Sequence, residues 1–552
     1  MRYLIYVILF LLPAFSLFSQ NNEKPKGQLH GNFNIDVQQY NADSAIGAEQ
    51  PPEKVLMNAY GNFTYTYGKF SAGMRFESYL NTLEGYDKSY NGSGIPYKYL
   101  SYNDEETGLG ITVGNFYEQF GNGLVLRSYQ EKMLGYDNAF EGVRVQFTGI
   151  KGVSIKGLIG RQRLFWTTGD GIVRGVDAEV SLNEAFSLKT KTQIIAGGSF
   201  VSKFQADKDP VLKLPENVGS GAGRLSLYRG GFMLSGEYAY KSQDPSADNG
   251  YIYKPGQALL INTTYSTKGL GIYLSAKRVD NMSFRSDRGQ AINNLNINYI
   301  ADISKIHTYT LAAMYPYATQ TNGEMGARGE IMYKFKKKSL LGGKYGTEVF
   351  VSYASAYDIK RTPAPDTSVI GLKGYEGYES KFFELGDEHF YSDFSAGIHK
   401  KVSKKIKFHL EYLYQEINYL QLRGEYDHSG NKTVYANIAI ADLSWKIKKR
   451  RVIRFEAQGL FTKQDRQDWA MGLIEYTMAP NWFFAVYDAY NYGNIHSDMR
   501  NHYVTASFGY TKNATRIQLS YGKSMEGVIC VGGVCRVVPA TNGFSVSITS
   551  SF

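Results

Sequence analysis

The chain has 552 residues, of which 45 are Tyr, 31 are Phe and 58 are Gly, and its formal net charge is +10. A mean hydropathy of −0.33 combined with 14% aromatic residues is unusual for a soluble globular protein. It is typical of a membrane barrel with a polar interior, a thin apolar outer band and aromatic belts. A secreted all-β adhesin or glycan binder remains an alternative explanation of this composition.

The N-terminus predicts export. Met1-Arg2-Tyr3 precedes an apolar run over residues 4–18 and then a polar segment. This pattern predicts a signal peptide over residues 1–20, cut near Ser19 or Gln20, and argues against nucleic acid as the partner of a basic chain. Since no Cys lies nearby, we expect no lipoprotein anchor. After residue 20 no apolar stretch reaches about 18 residues, so a membrane-spanning chain must be a closed barrel.

Alternation of apolar and polar residues with period two recurs along residues 21–552, which we predict to be one barrel domain with its first strand near Gln28. In residues 406–412, for example, Ile, Phe, Leu and Tyr alternate with Lys, His and Glu. The pattern repeats in 453–462 and 504–521 and indicates amphipathic strands. We predict a single large transmembrane antiparallel barrel of about 26 strands (24–28), with residues 98–150 the most ambiguous part.

The predicted connections alternate between short turns and long loops. This asymmetry is typical of outer-membrane barrels, whose short turns face the periplasm. The turns are 67–69, 150–152, 229–230, 268–269, 336–338, 403–405, 448–450 and 479–481, and the loops are 42–53, 83–97, 206–216, 284–290, 362–388 and 523–542. Lys and Arg gather in the turns. They are either solvated turn residues or a rim that binds anionic headgroups or a periplasmic partner.

The densest mixture of Gly, aromatic and charged residues lies in residues 114–147. We predict that its charged side chains, with two arginines that follow, form a cluster inside the lumen. The cluster either filters or gates solutes, or is a buried network that braces a wide barrel. Its predicted members are Glu118, Arg127, Glu131, Asp137, Glu141, Arg144, Arg161 and Arg163.

Residues 114–147 resemble the signature of an uncharacterised family of Bacteroidota outer-membrane β-barrel proteins. The segment Cys530-Val-Gly-Gly-Val-Cys535-Arg-Val-Val-Pro-Ala resembles that family too. The resemblance covers most of the mature chain and implies fold and location only, because no activity is established for the family.

Cys530 and Cys535 are the two cysteines of the chain. In an exported protein their close spacing predicts a disulfide at the tip of an extracellular loop. A redox-active pair is the alternative. Two thiolates without further ligands make a poor metal site, so we predict neither a metal nor another cofactor.

The last ten residues predict the strand that closes the barrel. Phe544, Val546, Ile548 and the terminal Phe552 alternate with Ser and Thr. Successive strand residues point to opposite faces, so the apolar ones would face lipid.

The eight histidines are scattered, and we predict no enzyme. His496-Ser497-Asp498 and Asp427-His428-Ser429 contain the residue types of a hydrolase in predicted external loops. Adjacency in sequence is not the geometry of a catalytic triad, so an outer-membrane hydrolase is a minor alternative.

Two functional hypotheses remain for a protein of the Gram-negative outer membrane. The first is a porin-like channel or conduit for polar or charged solutes. The second is a non-conducting barrel, plugged by its own loops, that serves as a platform for a surface lipoprotein or periplasmic partner. We expect contacts with outer-membrane lipid and, during biogenesis, with the barrel-assembly machinery, but not with nucleic acid. The sequence does not determine the solute, the partner or the oligomeric state.

Overall fold

The computed structural model describes residues 27–290, 294–531 and 534–552. The predicted signal peptide, residues 1–20, lies outside the described residues.

Twenty-four antiparallel strands form one closed sheet, in which each strand pairs with its neighbours along the chain. They are β1 Gln28–Gln39, β2 Val55–Tyr67, β3 Phe70–Leu80, β4 Gly92–Asp104, β5 Leu109–Phe116, β6 Phe140–Phe147, β7 Val153–Leu164, β8 Thr167–Ser181, β9 Gln193–Phe204, β10 Asn217–Arg229, β11 Phe232–Lys241, β12 Gly256–Thr267, β13 Leu270–Asp280, β14 Gly323–Phe335, β15 Thr347–Ile359, β16 Leu385–Lys401, β17 Ile406–Asn418, β18 Thr433–Lys448, β19 Arg451–Phe461, β20 Trp469–Met478, β21 Trp482–Tyr490, β22 His502–Lys512, β23 Thr515–Ser524 and β24 Thr541–Ser551. The predicted all-β antiparallel barrel is confirmed, with a strand number at the lower end of the predicted range.

Helical structure among the described residues is confined to connections. The α-helices are α1 Leu182–Ala185 and α2 Tyr419–Arg423, and the 3-10 turns are Lys88–Tyr90, Lys132–Leu134, Ala247–Asn249 and Ser497–Met499. None of these helices is long and apolar enough to cross a membrane. Two small hairpins, Gln130–Glu131 with Tyr136–Asp137 and Gly527–Val531 with Val534–Val538, stand apart from the barrel sheet.

The two ends of the barrel differ in their connections. At one end, which we call the turn end, most connections have two to five residues, and 182–192 and 336–346 are the longer ones. At the other end, the loop end, the connections are long except for the pair Phe165-Trp166 between β7 and β8. All eight predicted turns lie at the turn end, where β1 begins and β24 ends.

The outer face of the barrel is apolar. Exposed aliphatic side chains such as Leu274, Ile474 and Val486 occupy its middle. Exposed aromatic residues lie on both sides of this band. Those towards the turn end are Tyr67, Phe70, Tyr228, Phe232, Tyr265, Tyr333, Trp445 and Trp482, and those towards the loop end are Phe200, Tyr238, Tyr240, Tyr435, Phe461 and Tyr521.

Strand β24 closes the barrel between β23 and β1. Its register places Val546 opposite Val37 and Leu519, while Ser547 lies opposite Asp36 and Gln518. Phe544, Val546 and Ile548 therefore share the apolar outer face with their neighbours. The backbone of Phe552 exchanges two hydrogen bonds with Gly31, at 2.9 and 3.0 Å. Its ring lies 6.3 Å from that of Phe63.

Deleting Phe552 is expected to impair assembly more than removing residues 208–212 from an exposed loop. The deletion removes the last backbone bonds between β1 and β24, and an unclosed barrel has two unpaired strand edges. The loop removal leaves every strand pair intact. The heat-modifiable fraction of each variant in isolated membranes measures the difference. Equal folded fractions would contradict the assignment of β24 as the closing strand.

One predicted loop is misplaced. Residues 284–290 are predicted to form an external polar loop, but Phe284, Arg285 and Ser286 are buried. They belong to the connection between β13 and β14, which is long enough for another pair of strands. Its described residues, 281–290 and 294–322, turn into the lumen instead and contribute no barrel strand, which keeps the strand number below 26.

Candidate functional site: a plugged lumen and its charge network

Two loop-end connections fold into the barrel and contact each other. We call them together the plug, which comprises residues 117–139, 281–290 and 294–322. Backbone bonds join its two parts, since Arg127 N donates to Ile297 O at 2.8 Å and Tyr299 N donates to Gly123 O at 2.9 Å. The Asn138 side chain adds a 2.7 Å bond to Asn296 O.

One half of the plug packs against the wall formed by β7–β13. Phe120, Val125, Leu126 and Ile297 are completely buried there. The wall residues they meet are apolar and lie near the loop end of their strands. These are Leu158, Val173, Val201, Val218, Ala239, Ala258, Leu260 and Val279. Full burial of a large apolar side chain contributes about 1.5–3 kcal/mol, so this half of the plug is part of the barrel's core.

The other half of the plug packs against the opposite wall, β15–β22. Ile303, Leu311, Tyr315 and Tyr317 are almost fully buried. Their partners are again lumen-facing apolar residues near the loop end, including Leu413, Ile417, Val434, Ala436, Ile438, Leu460, Trp469 and Met471. The plug thus bridges the barrel from wall to wall across its loop-end half.

Hydrogen bonds tie this second half to the strands. Leu311 N donates to Gln458 Oε1 at 2.8 Å, and Gln415 Nε2 donates to Ala312 O at 3.1 Å. On the neighbouring wall, Lys277 Nζ donates to Ala301 O at 2.7 Å and pairs with the Glu324 carboxylate at 2.8 Å. Side chains of the wall therefore make the hydrogen bonds that the buried backbone groups of the plug need. A loop that moved independently of the wall would not need such bonds.

The turn-end half of the lumen has a different character. Its side chains form ion pairs that remain partly exposed, such as Arg328 with Glu330 at 2.8 Å and Arg454 with Asp442 at 2.8 Å. A cavity of about 430 Å³ lies at this end beside His399. We call this polar half the vestibule.

A buried charge network joins the plug to β3 and β7 near the loop end. Arg163 donates to Glu77 at 2.6 Å and to Asp137 at 2.7 Å. Arg75 pairs with Glu77 at 2.7 Å and also contacts Asp137. All four side chains are at most 5% exposed. The charges of the two arginines and the two carboxylates therefore balance each other in a site that is almost fully buried.

Two members of this network, Asp137 and Arg163, are predicted from the sequence, whereas Arg75 and Glu77 are not. The signal for the missed pair is present in β3, where Arg75, Glu77 and Tyr79 alternate with Met74 and Phe76. A search for charged residues on the polar side of the strands near residues 114–147 would have identified this pair. Their geometry corresponds to the bracing alternative rather than to a ring of charge around an open path.

Three other predicted residues lie inside the barrel but apart from the network. Glu118 pairs with Lys156 at 2.8 Å and with Arg144 at 3.3 Å. The Arg127 guanidinium stacks 4.0 Å from the ring centroid of Tyr299. The Glu118 contacts join the plug to the wall, and the Arg127 contact joins the two parts of the plug.

The remaining predicted members do not belong to a lumen cluster. Glu131 caps the 3-10 turn Lys132–Leu134 by accepting the Met133 amide at 3.2 Å. Glu141 and Arg161 lie directly opposite each other on β6 and β7 and are exposed on the outer face. They share that face with Val143 and Ile159, so the prediction that they line the lumen is wrong.

The disulfide hairpin lies over the loop end. Cys530 and Cys535 are bonded to each other, with an S–S distance of 2.09 Å. Val534 and Ile529 of this hairpin pack on Leu134 and Tyr136 of the plug. The hairpin therefore covers the plug from outside.

Of the two triplets with hydrolase residue types, His496-Ser497-Asp498 begins the 3-10 turn Ser497–Met499, and the side chains of Asp427-His428-Ser429 hold loops together. His428 pairs with Asp465, and Ser429 Oγ donates to the Asp465 carbonyl rather than to a histidine. Asp427 accepts backbone amides of Ser429 and Asn431 at 2.9 and 2.7 Å. Within the described ranges, no group of three or more His, Cys, Asp or Glu side chains could hold a metal ion.

Solved structures with a similar course of the chain include a translocation pore and two receptors. The translocation pore of the P pilus usher PapC is 9% identical with a TM-score of 0.45, covering 95% of this chain and 99% of that chain. The siderophore receptor PirA from Pseudomonas aeruginosa is 10% identical with a TM-score of 0.40, covering 96% and 81%. A ferric enterobactin receptor (PfeA) mutant from the same organism is 11% identical with a TM-score of 0.43, also covering 96% and 81%. These values are too low to transfer a function.

Among curated proteins, none matches the sequence. A family of unknown function, DUF6029, matches residues 1–552. The family description names no organism, so the assignment to Bacteroidota stays a prediction. Since the match spans the whole sequence, the chain belongs to the DUF6029 family, whose members have no assigned function.

Proposed function

We propose that the protein is a plugged barrel of the Gram-negative outer membrane that serves as a non-conducting platform for binding at the cell surface. The membrane location is supported by the apolar outer band and its two aromatic belts, because Trp, Tyr and Phe accumulate at both membrane interfaces. The loop end then faces outside and the turn end faces the periplasm.

The plug is the single observation that carries the non-conducting part of the proposal. Its two apolar halves, packed around Leu126 and Leu311, fill the space between opposite walls. Barrels of more than about 20 strands enclose a lumen that conducts unless it is plugged. We expect these two packed clusters to block the passage of hydrated ions, because protein cores contain few voids larger than a water molecule.

The polar vestibule supports a second candidate function, a gated conduit for polar or charged solutes. Partly exposed ion pairs such as Arg454 with Asp442, at 2.8 Å, line the vestibule beneath the plug. Solute passage would then require displacement of the plug. The two candidates share the closed resting state and differ in whether the plug ever leaves it.

Partners follow from the two ends of the barrel. We propose lipid contacts along the outer face, the barrel-assembly machinery during biogenesis, and a surface lipoprotein or a periplasmic protein as a lasting partner. The turn-end rim between β14 and β19 carries Lys336, Lys337, Lys338, Lys404, Lys405, Lys449 and Arg450, a positive surface suited to an acidic periplasmic partner. An enzymatic role is not part of the proposal.

Planar-bilayer recording of the purified full-length protein tests this function. We expect no steady conductance at low voltage, because the plug must lose its apolar contacts before ions can pass. Incorporation is verified independently by protease protection in vesicles of the same lipid. A stable open state in the unmodified protein would contradict the platform and favour the conduit.

A further inference from the structure

A cavity of about 550 Å³ opens at the loop end, above the buried charge network. Five separate connections meet around it, and Tyr86, Tyr90, Leu134, Arg163, Phe165 and Arg536 are among its lining residues. This volume lies within the range of about 300–1,000 Å³ found for small-molecule sites. The mixture of aromatic rings with a few charged groups is also typical of such sites.

Arg536 is the unusual member of the lining. Its guanidinium stacks 3.9 Å from the ring centroid of Tyr86, and its Nη1 reaches the Glu84 carbonyl oxygen at 3.5 Å. No carboxylate of the described residues pairs with it. Its Nε is buried without a hydrogen-bond partner among the described groups. Burial also lowers the pKa of Arg536, because the charged guanidinium has lost water.

The disulfide hairpin fixes the position of Arg536. It follows Cys535 directly, and the hairpin docks on the loop that contains Gly85. Gly85 has a φ of +81°, and a Cβ there would lie 2.7 Å from the Val537 carbonyl oxygen. Only glycine permits this close approach in that conformation. The hairpin therefore holds a partly desolvated cation against the cavity.

The other charges of the lining do not neutralise Arg536. Arg163 and Asp137, on the floor, belong to the balanced network with Arg75 and Glu77. Asp87 is exposed at the mouth and accepts the Ser89 amide at 2.9 Å. Solvent at the mouth screens its charge more than that of Arg536 deeper in the cavity.

We propose that this cavity binds a small organic anion that bears a carboxylate, sulfate or phosphate group next to a ring. The anionic group pairs with the guanidinium of Arg536, because no carboxylate of the described residues offsets its charge and a hydrogen bond between two charged groups is stronger than a neutral one. The ring lies among the side chains of Tyr90, Phe165 and Leu134. An acidic monosaccharide has this chemistry. The proposal rests on the proposed surface exposure of the loop end but not on the closed lumen.

Isothermal titration of the full-length protein in detergent tests the proposal. The probes are galacturonic acid, glucosamine 6-sulfate and glucose 6-phosphate, with uncharged galactose as the comparison. We expect at least one acidic sugar to bind and galactose not to. Arg536→Gln should weaken that binding at least about tenfold, equivalent to about 1.4 kcal/mol. The acidic sugar that binds best identifies the anionic group.

Two control variants keep the result specific. Arg500→Gln removes a charge from another external loop, where Arg500 donates to the Asn494 carbonyl oxygen, and should leave binding unchanged. Asp87→Asn should leave binding unchanged or strengthen it. Heat-modifiable migration of each variant verifies folding. Absence of binding by every acidic probe, equal binding of galactose, or full affinity in Arg536→Gln would overturn the proposal. None of these outcomes depends on conductance, so the test is independent of the closed lumen.

Discussion

Excision of residues 303–318 is expected to convert the closed barrel into an ion-conducting one. Residues 303–318 make the apolar contacts with β15–β22. The residues on either side of this segment are already adjacent, since Thr319 Oγ1 donates to Asp302 Oδ1 at 2.8 Å. A Gly-Ser-Gly link can therefore replace it without moving the flanking chain. The lumen beside Leu413 and Leu460 would then be open to water from the vestibule. Planar-bilayer recording should show conductance that the unmodified protein lacks.

A matched excision provides the control. Residues 367–374 form an external excursion whose ends are also tied, because Glu376 N donates to the Asp366 carboxylate at 2.9 Å. Their removal leaves the plug in place, so this variant should show no conductance. Both variants must show heat-modifiable migration before they are compared. If the 303–318 variant folds and does not conduct, this half of the plug does not close the lumen.

Replacing Arg163 by Gln is expected to destabilise the barrel severely. The change leaves Glu77 and Asp137 to share the single guanidinium of Arg75, in a site where each of these side chains is at most 5% exposed. Removing one partner of a buried ion pair costs about 3–5 kcal/mol, because the remaining charge stays buried. Urea unfolding in detergent micelles, followed by tryptophan fluorescence, should show a much lower midpoint.

Arg161→Gln is the natural control for that experiment. It removes the same charge two residues away on β7, where Arg161 is exposed on the outer face near the loop end, directly opposite Glu141 in register. Replacing an exposed side chain usually changes stability by about 0.5 kcal/mol or less, so its midpoint should change little. The double variant Glu77→Gln with Arg163→Gln restores neutrality and should lose less stability than the two single losses together. Equal midpoints for the 161 and 163 variants would contradict the buried network.

The predicted turns and the closing strand show which parts of the fold are local. Lys448-Lys449-Arg450 and Ala479-Pro480-Asn481 interrupt the alternation and lie at the turn end as predicted. The polar side chains of β24 share a face with those of β1 and β23. Period two assigns every second side chain to one face whatever the rest of the chain does, so such features follow from short segments alone.

Arg161 and Arg163 do not follow the alternation of side chains between the two faces of the sheet. Both have the same parity, so periodicity alone puts them on one face, yet Gln162 and Arg163 are both buried while Arg161 is exposed. A register shift between Thr168 and Ile172 on the paired strand breaks the alternation at this point. Such a register shift is difficult to predict from the sequence of β7, because it depends on how β7 pairs with the neighbouring strand.

A large barrel with an apolar outer face follows from the sequence alone, since alternation and turn chemistry act over a few residues. The placement of residues 281–290 and 294–322 inside the lumen follows only from the folded barrel. Asn294-Leu295-Asn296-Ile297 alternates like a strand, and nothing local distinguishes a segment that crosses the membrane from one that turns inward. The inward course depends on apolar lumen walls built from β7–β13 and β15–β22, which exist only once strands distant in sequence have paired.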